Sequence, residues 1–513
     1  QLWRLVAAVE SVWSRDSLRR RTRTGGQIGY ASGLVARHLA TGGGPSPCAQ
    51  SSSTSLVGVA SALEPSVIME SQLPLVDLTG SRAVHMIGIG GAGMEPLARL
   101  LQHAGHDVRG SDQADGEVVQ SLRTHGIDVW TGAHDSARVE GADIVVYSAA
   151  VTEDNPELRA ARDQVGQVLS RAQLLGWFSR QRPMIAVAGT HGKTTTSSMI
   201  VAVARAAGQD PGVVVGGWQS GASLAATGQD DLLVAEADEY DRSFLSLHPM
   251  GAVVTNIEAD HHDTYADDAA LDDAFTSFLG QTSDWIVTHD EPRCVQVAAR
   301  SKAPVTLCGG PRAHVQLQDV VVGTDHCQLQ VKVGGEARPA VQLAARGQHN
   351  VDNAMTAIAV ADRMGWPWSA VDDGLTGFRG VDRRLQTKAE LHGTLVVDDY
   401  AHHPTEVAAA LRWARGTDRR VVAVFQPHLY SRTQHLLDDF GDALSLADEV
   451  TVCEIYAARE APIAGVTSSL LTDALRERGV VARDEAHPIS AISTALDRCS
   501  EGDLLLVMGA GDV

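Results

Sequence analysis

Cysteine and lysine are both scarce in this sequence. The 513 residues include six cysteines, and no two of them form a C-x-x-C pair, so their spacing predicts neither a zinc site nor a disulfide framework. We therefore expect a reducing, cytoplasmic location. The chain has four lysines, at positions 193, 302, 332 and 388. With so few of them, a lysine inside a glycine-rich turn is a distinctive feature.

Net positive charge and long apolar runs are also absent. The formal net charge is −21. A protein with this much negative charge repels phosphate backbones and anionic lipids, which argues against a nucleic-acid binder or a membrane-surface binder. Apolar runs stay near ten residues, short of the roughly 20 that a transmembrane helix needs. Any anionic ligand must therefore be held by local arginine, lysine or metal.

The chain divides into an N-terminal extension and three α/β segments. Residues 1–68 are rich in Ser, Thr and Gly, which predicts disorder, and we expect natural translation to start near Met69. From Val84 onward, strand, glycine-rich turn and helix alternate, a pattern that predicts parallel sheets. One helix is expected over residues 160–178.

These segments predict an α/β protein of three domains. We expect a Rossmann-like N-terminal domain, a P-loop ATPase-like central domain and a Rossmann-like C-terminal domain, over residues 69–182, 183–379 and 380–513. Because the chain stops in a glycine loop just after its last strand, we expect the C-terminal domain to be truncated.

A glycine-rich turn follows the apolar stretch 184–188 and has the sequence Gly189-Thr190-His191-Gly192-Lys193-Thr194-Thr195. A buried strand, a turn with backbone N–H groups aimed at phosphate and a helix N-terminus behind it form a nucleotide-phosphate site. Lys193 then reaches the terminal phosphates, and the Thr194 hydroxyl holds Mg²⁺. The turn is a variant, because Val187 stands where the standard pattern has glycine. We expect the helix over residues 197–207.

A second glycine-rich turn lies near the start of the first domain. Gly88, Gly90 and Gly93 match G-x-G-x-x-G between a strand and a helix, and Asp112 follows at the end of the next strand. This pattern alone is typical of NAD binding. A UDP-sugar diphosphate satisfies the same backbone donors, and a purely structural tight turn is the third interpretation.

Acidic residues follow the two strands after the phosphate turn. Glu236 comes about forty residues after that turn, and the segment 255–263 with His261 follows the next strand. Ligands bind at the carboxyl ends of parallel strands, and carboxylate oxygens suit Mg²⁺. A metal-binding edge is therefore predicted, although each acidic loop on its own can also be a solvated one.

Amide and histidine side chains follow later strands. Asn350 and Asn353 sit at the start of a helix, where they can cap it or bind a base edge, and we expect one of them to be a cap. The His402-His403 pair could suggest zinc, but adjacent histidines point apart and no third ligand has suitable spacing. Substrate binding is the preferred interpretation there.

Taken together and in this order, the motifs between about Ser81 and Val513 of this chain resemble those of the Mur ligase family. The resemblance implies that the first domain binds the UDP of UDP-N-acetylmuramate, the central domain binds ATP and the third binds the incoming amino acid. The implied UDP-sugar residues are Gly88, Gly90, Gly91, Ala92, Gly93, Met94 and Asp112.

The remaining sites are implied in the same way. The ATP residues are Gly189, Thr190, His191, Gly192, Lys193, Thr194, Thr195, His349, Asn350 and Asn353, and the Mg²⁺ ligands are Thr194, Glu236 and His261. The substrate residues are Arg383, Arg384, Tyr400, His402, His403, His428 and Arg432, and the catalytic ones are Lys193, His261 and Arg432. Leu429 stands where the family often has arginine, which leaves Arg432 to hold the amino-acid carboxylate or phosphate.

The implied reaction passes the ATP γ-phosphate to the lactyl carboxylate of UDP-N-acetylmuramate, and the L-alanine amine then attacks the acyl phosphate. Relatives that add later residues use a carbamylated lysine, and no lysine lies between Lys193 and Lys302. The main alternative is the recycling ligase, which attaches a tripeptide. A nicotinamide dehydrogenase leaves the ATP turn unexplained, and a non-enzymatic nucleotide-binding regulator leaves the third domain unexplained.

Overall fold

Alternating strands and helices of the described residues build three large parallel or mixed sheets, and a fourth, two-stranded sheet is a short hairpin. The structure is a computed structural model that describes residues 76, 78–260, 264–323, 326–458, 460–511 and 513. The predicted extension, 1–68, and the predicted start at Met69 lie outside the described residues. Among the described helices, none has both the length and the apolar composition that a bilayer crossing requires.

The first sheet is fully parallel and has the strand order β3-β2-β1-β4-β5. Its strands are β1 Ala83–Ile87, β2 Asp107–Asp112, β3 Asp128–Thr131, β4 Ile144–Tyr147 and β5 Gln167–Ser170. Its helices are α1 Glu95–His103, α2 Glu117–Thr124, α3 Pro156–Gln164 and α4 Arg171–Gln181, with a 3₁₀ turn at Ser136–Val139. The strand order reverses direction between β1 and β4, which opens a crevice beside the loop 88–94.

The single helix expected over 160–178 is wrong, because three elements occupy this stretch. α3 ends at Gln164, β5 pairs with β4, and α4 begins at Arg171. Val165 is extended, and the following Ser170 side chain accepts a hydrogen bond from the Gln173 backbone N–H in a capping box. This cap starts a new helix.

A buried carboxylate joins several elements of the first domain. Glu157 is fully buried at the start of α3, and its oxygens accept hydrogen bonds from Ser111 and from the His85 ring at 2.7 Å. His134 and Arg138 lie 3.0 and 3.3 Å from the same carboxylate. Burial acts to raise the pKa of Glu157, but the hydrogen bonds from His85 and Ser111 prevail and lower it to about 2.

We predict that Glu157→Gln destabilises the first domain by about 3 kcal/mol, because it removes one partner of a buried charge network. The pKa of Glu157 in the folded state lies below its ordinary value of 4.5. Its contribution to the free energy of unfolding is therefore complete above pH 4.5 and disappears as the pH falls toward about 2. Circular dichroism against pH should show a loss of stability between pH 4.5 and 2 that the variant lacks. The control is Glu153→Gln, whose side chain is 72% exposed; an equal effect in both variants would contradict the prediction.

The central sheet has the strand order β16-β15-β14-β13-β12-β11-β6-β10-β7, with β17 paired to β15. The strands are β6 Met184–Ala188, β7 Gly212–Val214, β8 Trp218–Gln219, β9 Ala222–Ser223, β10 Leu233–Glu236, β11 Gly251–Val254, β12 Trp285–His289, β13 Val305–Gly309, β14 Val315–Val322, β15 Cys327–Val333, β16 Glu336–Ala337 and β17 Val341–Leu343. Of these strands, β8 and β9 are not part of the central sheet; they pair with each other in a separate hairpin.

Helices cover the parallel part of this sheet. They are α5 Lys193–Ala206, α6 Asp268–Gly280, α7 Pro292–Ala298, α8 Gln348–Arg363 and α9 Trp368–Gly377, with a 3₁₀ segment at Tyr240–Ser246. Every residue of β6, β11 and β12 is buried, as expected for parallel strands covered on both faces. The predicted helix start at Ser197 is wrong, because α5 begins at Lys193, directly after a left-handed Gly192.

The third sheet has the order β18-β19-β23-β20-β21-β22, and only the β18–β19 pair among these described strands is antiparallel. The strands are β18 Gln386–Leu391, β19 Thr394–Asp399, β20 Val421–Phe425, β21 Glu449–Val452, β22 Val481–Asp484 and β23 Leu504–Met508. The helices are α10 Pro404–Arg415, α11 Tyr430–His435, α12 Leu437–Leu444, α13 Ser468–Glu477 and α14 Pro488–Asp497.

The α/β class and the three-domain architecture predicted from the sequence are confirmed by these sheets. The sequence pattern missed the edge strands β18 and β22, whose residues are mostly polar and partly exposed. It found β20 and β23, in which every residue is buried. Each sheet falls within one of the three predicted segments.

Candidate active site

The phosphate turn is held against the segment that follows β11. The His191 backbone N–H donates to the Asn256 side chain at 2.9 Å, and the Thr255 hydroxyl donates to the His191 carbonyl at 2.6 Å. Gly189 and Gly192 have φ values of 130° and 80°, which side chains rarely adopt. The loop is therefore preorganised, with its backbone N–H groups at the N-terminus of α5.

A chain of amide hydrogen bonds supports the turn from α8. Asn353 accepts a hydrogen bond from the Thr196 hydroxyl at 3.0 Å and donates to Asn350, which in turn donates to the Arg346 carbonyl. The prediction that one of the two asparagines caps α8 is wrong. The N-cap residue is Gly347, and the helix start has no side-chain capping hydrogen bond. Asn353 instead joins α8 to the phosphate helix α5, and Asn350 accepts a hydrogen bond from Asn353.

We predict that Gly192→Ala strongly weakens ATP binding. A Cβ there would lie 2.4 Å from Asn353 Oδ1, in addition to the strain of a φ of 80°. The matched control is Gly208→Ala, which has a φ of 83° and no atom within 4 Å of the added Cβ. Melting temperatures should fall in both variants, because left-handed strain costs about 1–2 kcal/mol, whereas ATP affinity measured by calorimetry should fall only in the first. Equal ATP affinity in the two variants would contradict the prediction.

Lys193 is paired with carboxylates at the end of β10. Its Nζ atom donates to Glu239 at 2.6 Å and to the Gly189 carbonyl at 2.8 Å, and Asp238 lies 3.7 Å away. Burial is the largest single influence and acts to lower the pKa of Lys193, but the attractions to Glu239 and Asp238 and the hydrogen bond to Glu239 together outweigh it and raise the pKa. The ammonium is therefore charged at neutral pH and faces anions where a phosphate is expected to bind.

Glu236 and Thr194 fit the oxygen chemistry of Mg²⁺. The Glu236 carboxylate accepts a hydrogen bond from the Gly216 N–H at 3.2 Å, while its buried Oε1 atom has no hydrogen-bond partner among the described residues. Burial raises the pKa of Glu236 in spite of hydrogen bonding from Thr194 and Gly216, as expected for a carboxylate that a cation would stabilise. The third predicted ligand, His261, lies outside the described residues.

A cleft of about 1310 Å³ opens above these residues. It is lined by residues 190–194 of the phosphate turn, by Glu236, and by part of the β8–β9 hairpin. From the third domain it receives Arg383, Arg384, Tyr400, His402, His428 and Arg432. The structure thus brings most of the predicted ATP, metal and substrate residues to one cavity.

The glycine-rich loop of the first domain is organised by Asp112. The Gly90 N–H donates to Asp112 Oδ2 at 2.9 Å, and a Cβ on Gly90 would lie 2.8 Å from the same oxygen. Asp112 was predicted as a UDP-sugar ligand, and in the structure its carboxylate holds the loop itself. Among the described residues of the first domain, Glu117 lines the cleft. The assignment of residues 88–94 to the UDP-sugar stays a prediction.

A smaller pocket of about 210 Å³ adjoins the phosphate turn. Thr195, His289, His349 and Asn353 line it from the central domain, and its opposite wall comes from the third domain. Burial lowers the pKa of His349 to about 4, so its ring is neutral and offers one donor and one acceptor. Charged residues also line this pocket, and the neutral His349 ring can hydrogen-bond with the edge of a flat heterocyclic base.

Glu406 connects the phosphate turn to the third domain. Its carboxylate lies 3.5 Å from His191 Nδ1 and 3.3 Å from an Arg384 nitrogen, and it accepts from the His402 N–H. Burial acts to lower the pKa of His191, but hydrogen bonds with Glu258 and Glu406 prevail and raise it to about 9. His191 is therefore an imidazolium at neutral pH, held by carboxylates of two domains.

The adjacent histidines point apart, as the sequence indicated. His402 lines the cleft, its Nδ1 is 2.9 Å from the Tyr400 carbonyl, and burial lowers its pKa to about 3. The His403 side chain caps α10 by accepting from the Thr405 N–H, and its ring lies 4.6 Å from the His191 ring at an angle of 41°.

Sequence spacing alone does not exclude a metal at His403. Ligand atoms of His191, Glu258 and His403 lie within 4.8 Å of one another, because the fold joins segments that are distant in sequence. With its pKa raised to about 9, His191 contributes positive charge to this cluster at neutral pH.

The substrate arginines already have partners. Arg383 donates to the Gly509 carbonyl at 2.6 Å, and both Arg383 and Arg384 lie 5.2 Å from the Tyr400 ring. Arg432 is bound by Asp260 of the central domain at 2.9 Å. Arg383 therefore holds the loop after β23 and need not contact a substrate.

The sequence alone did not predict the acidic partners of the site's cations. These partners are Glu239 for Lys193, Glu258 for His191, Asp260 for Arg432 and Glu406 for Arg384. All of them lie within or beside the strand-end motifs. Their signal was weak because acidic loops are usually solvated, and only the folded chain shows which carboxylate faces which cation.

The fold and the cleft define a nucleotide-dependent α/β enzyme whose site lies between domains. Residues 83–183 match the Mur ligase family catalytic domain, residues 187–361 the Mur ligase middle domain, and residues 383–511 the Mur ligase glutamate ligase domain. The chain belongs to the Mur ligase family.

Individual relatives agree with this result. The chain is 42% identical over 444 residues to a UDP-N-acetylmuramate--L-alanine ligase of Salinibacter ruber, covering 84% of this chain and 93% of the relative. The solved structure of a UDP-N-acetylmuramate-alanine ligase from Thermotoga maritima matches with a TM-score of 0.72 and 28% identity, over 84% of this chain and 96% of that one. A murein peptide ligase from Psychrobacter arcticus, with a TM-score of 0.62 and 24% identity over 84% and 96% of the two chains, shares the fold.

Proposed function

We propose that this protein is an ATP-dependent ligase that joins L-alanine to the lactyl carboxylate of UDP-N-acetylmuramate. The observation that carries the proposal is the shared cleft, where the phosphate turn and Glu236 face the arginines and histidines of the third domain. Similarity to the ligases from Salinibacter ruber and Thermotoga maritima supports the choice of substrates.

The proposed reaction has two steps. A carboxylate oxygen of the sugar attacks the γ-phosphorus of ATP, the bond to the β-phosphate oxygen breaks, and ADP leaves with that electron pair. The L-alanine nitrogen then attacks the acyl carbon, and phosphate leaves with the carbon–oxygen electron pair while the nitrogen loses a proton. Such chemistry depends on alignment and charge neutralisation more than on an acid or base.

The chain's residues divide this work between them. We assign the nucleotide base to the 210 Å³ pocket, and the phosphates to the turn 189–195. When ATP binds, the Lys193 ammonium leaves its ion pair with Glu239 and pairs with phosphate oxygens instead. Mg²⁺ at Thr194 and Glu236 would neutralise further phosphate charge. We keep residues 88–94 as the site of the UDP diphosphate.

The first test concerns Lys193. We predict that Lys193→Ala abolishes ligation and leaves UDP-sugar affinity unchanged, because the two ligands bind to different domains. Loss of a buried cation in this site removes several kcal/mol of transition-state stabilisation. Phosphate release and calorimetric sugar binding measure the two effects, with the exposed Lys302→Ala as the control. Turnover within threefold of wild type would contradict the assignment.

The second test concerns the acceptor. A small site with a cation for the carboxylate discriminates weakly among small amino acids, since one methyl or hydroxyl is worth only about 1–3 kcal/mol. We predict phosphate release with L-alanine, slower release with glycine and L-serine, and none with an L-alanyl-γ-D-glutamyl tripeptide. A preference for the tripeptide would instead establish the recycling ligase, the alternative function, with the same ATP chemistry.

A further inference from the structure

Asp260 and Arg432 form a buried ion pair between the central and third domains. The Asp260 carboxylate receives hydrogen bonds from Arg432 Nε at 3.1 Å and from Nη2 at 2.9 and 3.0 Å. The two side chains are 8% and 5% exposed. Bidentate geometry and burial together make this pair stronger and more directional than a surface salt bridge.

The pair fixes the orientation of a guanidinium at the cleft. Asp260 follows β11 in the central domain, whereas Arg432 lies on the short helix α11 of the third domain. Arg432 Nη1 is 3.2 Å from His428 Nδ1, and all three residues line the 1310 Å³ cleft. The arginine therefore reaches its position at the cleft only when the third domain lies against the central one.

The two edges of the arginine are used differently. A guanidinium can bind one carboxylate through Nε and Nη2 and a second through Nη1 and Nη2. Asp260 binds Nε and Nη2, and Nη1 lies within hydrogen-bond distance of His428 Nδ1. An amino-acid carboxylate that replaces His428 at Nη1 can be received on this second edge while Asp260 stays in place.

We propose that Asp260 is a positioning residue that presents Arg432 to the carboxylate of the incoming amino acid. Because Asp260 belongs to the central domain, the acceptor site is complete only when the two domains are closed over the bound nucleotide. The inference rests on the proposed ligase function and adds a residue to it. No contact between Asp260 and substrate is required.

The test compares Asp260→Asn, which keeps the side-chain size, with Asp260→Glu, which keeps the charge. The matched control is Asp442→Asn, which removes a carboxylate from an ion pair with Arg478 at a side chain that is 76% exposed. For each variant, KM for the acceptor amino acid, KM for ATP, KM for the UDP-sugar, kcat and the melting temperature are measured. Arg432→Lys is included because lysine keeps the charge and lacks the two-edged fork.

We expect Asp260→Asn to raise the acceptor KM about 10- to 100-fold, with ATP and sugar KM within threefold of wild type. Asp260→Glu should recover part of the acceptor affinity, Arg432→Lys should resemble Asp260→Asn, and Asp442→Asn should be unchanged. Asp260→Asn could fail to fold while Asp260→Glu behaves as wild type. In that case Arg432→Lys decides the outcome: a selective rise in the acceptor KM supports the role of the Asp260 charge, and an unchanged acceptor KM contradicts it.

Three results would overturn the proposal. Equal increases in all three KM values would show a general closure role, an unchanged acceptor KM would show no role, and a lower acceptor KM would show that Asp260 competes with substrate for Arg432. If the wild-type protein releases no phosphate with any acceptor, the proposed function is wrong; if it does and the variants match it, only the positioning role is wrong.

Discussion

Charge pairing at the phosphate turn is the interaction on which the rest of the site depends. The turn carries Lys193 and the protonated His191, and both are held by carboxylates, Glu239 in one case and Glu258 with Glu406 in the other. Buried cations need such partners, because an unpaired charge in a low-dielectric site is very costly. In the proposed function ATP supplies the same negative charge, so nucleotide binding would exchange one set of anions for another. The strand ends of the central sheet bring these groups together, as parallel topology requires.

The same kind of pairing joins the third domain to the central one. Glu406 reaches His191 of the turn, and Arg432 reaches Asp260 after β11. Both contacts are buried and place third-domain groups directly above the phosphate site. An acyl phosphate hydrolyses readily in water, so a ligase of this type gains from a cleft that closes around it. In the proposed function the domain interface is therefore part of the active site.

Much of this could be predicted from the sequence, for identifiable physical reasons. Strands buried on both faces, such as β6 and β20, read as apolar runs, and the turn at Gly189 to Lys193 follows from the geometry of phosphate binding. The edge strands β18 and β22 were missed because edge strands carry mixed polar patterns. The bond between Asn353 and Thr196 of α5 could not be predicted, because local sequence shows a cap position but not the helix packed beside it. Pairs such as Asp260 with Arg432 are 172 positions apart, and no local pattern indicates them.

The central claim is that this cleft activates a carboxylate by phosphorylation. The most direct measurement uses UDP-N-acetylmuramate labelled with a heavy oxygen isotope in the lactyl carboxylate, with ATP, Mg²⁺ and L-alanine, followed by mass spectrometry of the released phosphate. In the proposed chemistry a carboxylate oxygen bonds to phosphorus and leaves with it, so each phosphate should carry one labelled oxygen. Phosphate free of label, released together with the amide product, would contradict the account.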